Sequence, residues 1–269
     1  MIERNYREND SDIFLTIAIT CYNEEKYIVN SIDTILKALR RMDFSYEIIV
    51  IDDASKDNSV QIIQQYMETH PDSSLILQAN KRNYGWAHNY VEGAFLGHGK
   101  YYKICVGDNA QPEEALVEIF RQIGKADIII TYPDQSGIVG KTLFRKFLSR
   151  LFTFLVNTIS GYNISYYNGL PVHVRYDILR WHPLNYGFGF QADIITCLLD
   201  QGASYLQMPT ALIDRKGASS GALTFKNALS VVHTLLEIAM RRLKRTLYRG
   251  KTAKPMEVKR LNNRQGRVD

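Results

Sequence analysis

The chain has 269 residues, 45% of them hydrophobic and 23% charged, which is enough apolar material to bury a full core and excludes disorder throughout. Its net charge of +5 is unevenly placed: from Arg241 to Asp269 there are eleven Lys and Arg against Glu257 and Asp269, a surplus of +9 that leaves −4 for the first 240 residues. The three cysteines, Cys21, Cys105 and Cys197, stand far apart without metal-type spacing, and residues 1–12 are polar, so a disulfide scaffold is excluded and a reducing, cytoplasmic compartment without a cleaved signal is expected.

The apolar run at residues 13–20 reads as a buried strand. After Glu24, the apolar residues Ile28, Ile32, Ile35, Leu36 and Leu39 recur at helical spacing. The same order repeats, with strands expected at 47–51, 74–78, 101–106 and 127–132 and helices at about 58–69, 86–96 and 112–123. Alternating strand and helix at this density predicts an α/β domain over residues 13–223, with a mainly parallel sheet covered by helices on both faces. Beyond Pro133 the pattern changes. Residues 142–159 form an amphipathic helix, with Phe144, Phe147, Leu148, Leu151, Phe152, Leu155 and Ile159 on one side and basic residues between them. A second amphipathic helix is expected at 224–249, carrying Leu229, Val232, Leu236, Ala239, Leu243 and Leu247, and it runs into a basic, flexible tail at 250–269. Helices of this kind lie in membrane interfaces or pack on their own domain, and the basic tail favours an anionic membrane surface. That tail has no interleaved aromatics, so nucleic acid is not expected as a partner.

Three of the predicted strands end in polar loops: Tyr22-Asn23-Glu24-Glu25, Asp52-Asp53-Ala54-Ser55 and Gly107-Asp108-Asn109-Ala110. Parallel strands would bring these loops to one carboxyl edge of the sheet, where ligands bind in open α/β folds. A tyrosine ring and carboxylates at this separation suit a nucleobase, stacking on its face and accepting from its ring N–H. Each residue taken alone also fits a loop hydrogen bond or a helix cap, as Asn58 does for the helix that follows it. No glycine-rich turn follows the first strand, so the dinucleotide-binding fingerprint is missing.

Together these segments resemble the family 2 glycosyltransferases of GT-A fold, particularly the polyprenyl-phosphate sugar transferases related to dolichyl-phosphate mannose synthase. The resemblance covers residues 13–222 and rests on the Tyr-Asn-Glu turn, the Asp-Asp-x-Ser strand end, and Asn83, Gly85, Ala87 and Asn89 at a helix entry. It implies a nucleotide-sugar site, for a UDP- or GDP-linked donor, made by Thr20, Tyr22, Asn23, Glu24, Asp53, Ser55, Asn83 and Gly85. Where the family shows Asp-x-Asp, this chain has Gly107-Asp108-Asn109, one carboxylate fewer. Asp108 and Asn109 would hold Mg²⁺ or Mn²⁺, which prefer oxygen ligands and keep several waters.

The second half carries further matches. Arg145 and Ser149, four residues apart and so on one helical face, match residues that bind the acceptor phosphate in the family, and a guanidinium suits that task through paired hydrogen bonds. Asn168, Gly169 and Arg175 fall in a family segment that ends in arginine. Arg215, in Asp214-Arg215-Lys216-Gly217-Ala218-Ser219, matches the loop that closes over the diphosphate, which makes Arg215 and Asp108 the expected catalytic residues. The resemblance implies an inverting transferase that moves a sugar from a nucleotide sugar to a polyprenyl phosphate, such as dolichyl or undecaprenyl phosphate, while peripherally associated with the cytoplasmic face of a membrane. Two alternatives stay open. One is transfer to a saccharide hydroxyl, which needs a base at the helix start carrying Gln191 and Asp193, where soluble transferases of this fold often place one; the other is a non-catalytic nucleotide-binding scaffold.

Overall fold

The computed structural model describes residues 13–139, 142–181, 187, 189–213, 225–248 and 256–260. Its first half follows the expected alternation: β1 (Leu15–Cys21), α1 (Ile28–Leu39), β2 (Tyr46–Asp52), α2 (Ser59–Thr69), β3 (Leu75–Ala79), α3 (Trp86–Leu96), β4 (Tyr101–Val106) and α4 (Glu113–Phe120). All seven residues of β1 are buried. A strand covered on both faces needs continuous apolar sequence, which is why Leu-Thr-Ile-Ala-Ile-Thr-Cys does not alternate.

The second half contains β5 (Ile128–Val139), α5 (Leu143–Ser160), β6 (Val172–Val174), α6 (Arg175–Leu179), α7 (Phe190–Asp200), β7 (Tyr205–Ile213), α8 (Phe225–Tyr248) and β8 (Glu257–Arg260). The eight strands form one sheet in the order β3-β2-β1-β4-β6-β5-β7-β8. Only β6 runs antiparallel to its neighbours, and it joins β4 to β5. β5 continues well past the expected end at residue 132; its register with β7 shifts between Pro133 and Ile138, so the proline is accommodated at an irregularity and the strand goes on. β8 lies within the segment expected to be a flexible tail and pairs with β7, and Gln207 Nε2 donates to Glu257 Oε1 at 2.9 Å.

Helices α1, α2 and α4 pack on one face of the sheet around Ile17, Ile19, Val50 and Cys105. On the other face, α3, α6 and α7 pack around Ala18, Ile51, Tyr102 and Ile130, with Val156 of α5 and Ile238 of α8 joining the same core. β2 and the residue after it hold the segments on either side of α3. At the start of β2, buried Glu47 accepts from Thr16 Oγ1 at 2.6 Å, from Gly99 N at 3.2 Å and from the backbone N–H of His98. Burial pushes the Glu47 carboxyl up, but the donors from His98 and Thr16 outweigh it and leave the group below its ordinary range.

Candidate active site

β1 lies between β2 and β4 with both pairings parallel, so the three polar loops emerge side by side. They branch from adjacent points on β1: Asp53 N donates to Cys21 O and Gly107 N to Thr20 O, each at 2.8 Å. The first two loops are cross-linked. Asn23, in the left-handed region at φ 57°, accepts from Lys56 N at 2.7 Å while its own N–H donates to Ser55 Oγ at 2.9 Å. Glu24 N donates to Ser59 Oγ at 3.0 Å. Asn58 does not cap α2 with its side chain; its Nδ2 donates to Glu25 Oε2, and Asp57 takes the Ser59 N–H instead. Burial pushes the Asp57 carboxyl up, but donors from Ser59 and Glu25 together outweigh it and hold the group below the usual range. Short polar side chains therefore set the loop conformation before any ligand arrives.

Asp53 is 4% exposed, and its carboxylate is already occupied. Oδ1 accepts from Asn80 Nδ2 at 3.0 Å and from Tyr84 N at 2.9 Å, and Oδ2 accepts from Gly85 N at 2.9 Å. This clamps the loop that enters α3, whose N-cap Gly85 has φ 87°. Asn83 is exposed on that loop. Tyr22 stands out from the end of β1, 43% exposed. Thr20 is 8% exposed and its hydroxyl points along the sheet to Cys105 O at 3.4 Å.

The third loop is compact because it begins with glycine. A Cβ on Gly107 would stand 3.0 Å from both Ile28 Cδ1 and Thr20 O, so an acid here would crowd the β1 carbonyl and need the Ile28 side chain to give way by a few tenths of an ångström. Asp108 Oδ1 accepts from Ala110 N at 3.0 Å, Asn109 adopts φ 56°, and both side chains are half-buried. Behind them Gln111 is 6% exposed with neither amide atom hydrogen-bonded, beside a cavity of about 10 Å³ lined by Ser31, Val106, Asn109 and Leu170. Among the described residues no group of three His, Cys, Asp or Glu is placed to hold a metal. The oxygens of Asp108 and Asn109, with the orphaned Gln111 amide behind, fit a hard cation that a bound diphosphate also ligates, not one caged by protein alone.

Arg145 and Ser149 lie one turn apart on α5, near its N-terminus, where Thr142 Oγ1 accepts from Arg145 N at 3.4 Å. Around them Leu143, Phe144, Phe147, Leu151 and Phe154 are exposed, 41% to 84% each. Arg175 does not join the three loops. Its guanidinium donates to the carbonyls of Gly99 at 2.8 Å and Ala94 at 3.1 Å, at the amino edge of the sheet and away from the three loops. Arg215 lies outside the described residues.

The sequence reading missed a charge cluster between α7 and α8. Asp200 accepts from Arg241 Nε at 3.1 Å, Arg242 Nη1 at 2.8 Å, Arg245 Nη1 at 2.5 Å and Tyr162 Oη at 2.7 Å. Asp193 accepts from Trp181 Nε1 at 2.9 Å and Arg241 Nη1 at 2.5 Å. Burial opposes the charge on Arg241, but Asp193 and Asp200 outweigh that and raise its pKa. The signal was present as acids seven apart on one helix and arginines four apart on another, both single-face spacings. These arginines dock α8, and its apolar stripe faces outward, with Leu229, Val232, Leu236, Leu243 and Leu247 each 51% to 66% exposed. Among the described residues no helix is long and apolar enough to cross a membrane.

Comparison with known proteins follows the same outline. The sequence model described as Glycosyl transferase family 2 matches residues 16–179. A dolichyl-phosphate beta-glucosyltransferase of Dictyostelium discoideum is 30% identical over 143 residues, which is 50% of this chain and 44% of that protein. An undecaprenyl-phosphate 4-deoxy-4-formamido-L-arabinose transferase of Shewanella sediminis is 36% identical over 89 residues, or 33% and 26% of the two chains. The matches thus span less than half the length of these relatives. Among solved structures, the mannosyltransferase PcManGT from Pyrobaculum calidifontis, in complex with GDP-Man and Mn²⁺, superposes with a TM-score of 0.62 at 16% identity, covering 91% of this chain and 67% of that one. Glucosyl-3-phosphoglycerate synthase from Mycobacterium tuberculosis, with uridine diphosphate, gives 0.63 at 15% identity, covering 85% and 80%. The fold is therefore GT-A, as the sequence resemblance implied.

Proposed function

The chain belongs to glycosyl transferase family 2, and from that premise we propose that it transfers one sugar, with inversion, from a UDP- or GDP-linked donor to a polyprenyl phosphate at the cytoplasmic face of a membrane. The observation that carries the acceptor class is on α5. Arg145 and Ser149, suited to a phosphate, sit on a helix whose exposed stripe of Leu143, Phe144, Phe147, Leu151 and Phe154 suits the acyl region of a bilayer. The exposed stripe of α8 extends this apolar surface, since α8 packs beside α5.

The donor lies across the three loops, with Tyr22 against the base and Asp108 and Asn109 at the diphosphate. A bound Mg²⁺ or Mn²⁺ would supply positive charge against the leaving diphosphate. Arg145 and Ser149 hold the acceptor phosphate for in-line attack on the anomeric carbon, and Arg215 provides a further charge on the departing nucleotide. The acceptor oxygen is ionised at neutral pH and needs no general base, whereas a sugar hydroxyl would need one. Asp193, the carboxylate of the Gln191 and Asp193 pair expected to matter for a hydroxyl acceptor, is held by Trp181 and Arg241, which favours the phosphate acceptor.

The test is glycolipid formation in vesicles containing polyprenyl phosphate, with Mn²⁺ and a panel of UDP and GDP sugars. Wild type should form product from at least one donor, and Asp108→Ala should lower the rate about a hundredfold or more with an unchanged melting temperature. No product from any donor, or equal rates for the variant, would overturn the reading.

A further inference from the structure

Two buried side chains clamp a fourth segment to the carboxyl edge, beside the third loop. Lys103 of β4 is fully buried, and its Nζ donates to Leu170 O at 2.8 Å. Burying an ammonium is costly, and burial lowers the pKa of this one; the Leu170 carbonyl is the partner that offsets the loss of water. Thr131 of β5, also fully buried, donates through Oγ1 to Gly169 O. The chain runs so close to β5 here that a Cβ on Gly169 would overlap the Thr131 carbonyl, and Leu170 is held in the left-handed region at φ 54°. β6 is antiparallel to β4 and β5, with Val172 opposite both Lys103 and Ile129, so the residues before it climb toward the carboxyl edge. Leu170 lines the same small cavity as Val106, Asn109 and Gln111, which brings Asn168, just before the clamp, next to the third loop. Asn168 is half-buried, and among the described residues its amide makes no hydrogen bond.

The strand order says which part of the donor arrives there. With the base against Tyr22 at the end of β1 and the diphosphate at the end of β4, the next group of the donor lies over β6 and β5, which follow β4 in the sheet, and that group is the sugar. We infer that Asn168 hydrogen-bonds a hydroxyl of the transferred sugar, and that Lys103 is a positioning residue which, together with Thr131, holds Asn168 where it does so. The inference rests on the nucleotide-sugar reading given above and adds the residue that recognises the sugar. A carboxamide both donates and accepts, so it suits a hydroxyl in either sense. The clamp acts on backbone carbonyls and leaves the Asn168 side chain free for a ligand.

The experiment is calorimetric titration of the full chain, with Mn²⁺, against UDP-glucose, UDP-N-acetylglucosamine and GDP-mannose, and against UDP and GDP, which lack the sugar. Wild type should bind at least one of the sugar nucleotides. For that ligand Asn168→Ala should weaken binding about tenfold, while the matching diphosphate stays within about twofold of wild type. Lys103→Met, which removes the ammonium and keeps the apolar stem, should show the same selective loss and add little when combined with Asn168→Ala. Where Lys103→Met does not fold, Thr131→Val supplies the same comparison from the other side of the clamp. An Asn168→Ala protein that binds both ligands as wild type does, or that weakens both alike, overturns the inference and leaves the transferase reading standing. So does a clamp variant whose effect adds in full to that of Asn168→Ala, or a wild type that binds UDP or GDP but none of the sugar nucleotides. Failure of wild type to bind any of the five overturns both readings.

Discussion

The two halves of the sheet are held by opposite means. From β1 to β4, the loops at the carboxyl edge are joined by hydrogen bonds between backbone N–H groups and short side chains, such as Asn23 to Lys56 and Asp53 to Tyr84 and Gly85. From α5 onward, long-range ion pairs between Asp193, Asp200 and the arginines of α8 fix the helices, and apolar side chains of α5 and α8 are left on the outside. The first arrangement makes a rigid polar edge that a nucleotide can enter without reordering it. The second frees helix faces from packing duty, because charge on the inner face takes over the anchoring.

Asp200→Ala should break this contrast most severely. Asp200 is the common partner of three guanidiniums that are each no more than about a quarter exposed, and removing it takes that shared carboxylate away from Arg241, Arg242 and Arg245. The expected loss is about 3 kcal/mol in chemical denaturation, with UDP affinity unchanged. A change below about 0.5 kcal/mol would mean that apolar packing alone holds α8.

Gly107→Asp probes the other half. Restoring the family acid should not restore a better site, because its Cβ meets Ile28 and the Thr20 carbonyl. A loss of about 1 to 3 kcal/mol in stability is expected, with weaker Mn²⁺-dependent nucleotide binding. Tighter binding at full stability would show that the loop has slack which its packing does not suggest.

The smallest effect belongs to the seam. His173, on the antiparallel β6 that joins the halves, is buried with neither ring nitrogen partnered, and burial, aided by nearby Lys103, lowers its pKa to about 3. The unfolded chain takes up the proton as pH falls through about 6.5, while the folded chain does not until about 3. Stability from this group is therefore complete above 6.5 and declines as pH falls below it. His173→Leu should remove on the order of 1 kcal/mol of the difference between pH 7 and pH 5.5, seen as a flatter dependence of the denaturation midpoint.

Strands β1 to β4 and helices α1 to α3 were legible because each is long enough to show its period and is bounded by loop residues. β6, with three residues, carries no period. β7 was hidden by Pro209 and the buried Gln207 within its run, and β8 by the charges around it. The site was legible as residue types: the loops fall at one edge, as their spacing required, and Asn23, Ser55 and Asp53 all lie there. Their occupations were not legible. Ser55 and Asp53 are drawn into hydrogen bonds with residues 27 to 32 positions away, which no local pattern displays, and Arg175 is spent on carbonyls at the far edge.

The sequence by itself determined the α/β order, the three polar strand ends and the missing carboxylate at Gly107, because these depend on periodicity and residue identity. Only the tertiary structure decided which polar groups remain available to a ligand. Hydrogen-bond capacity is finite, and whether Asp53, Asp193 or Arg241 faces a substrate or a neighbouring chain segment depends on contacts between residues far apart in sequence.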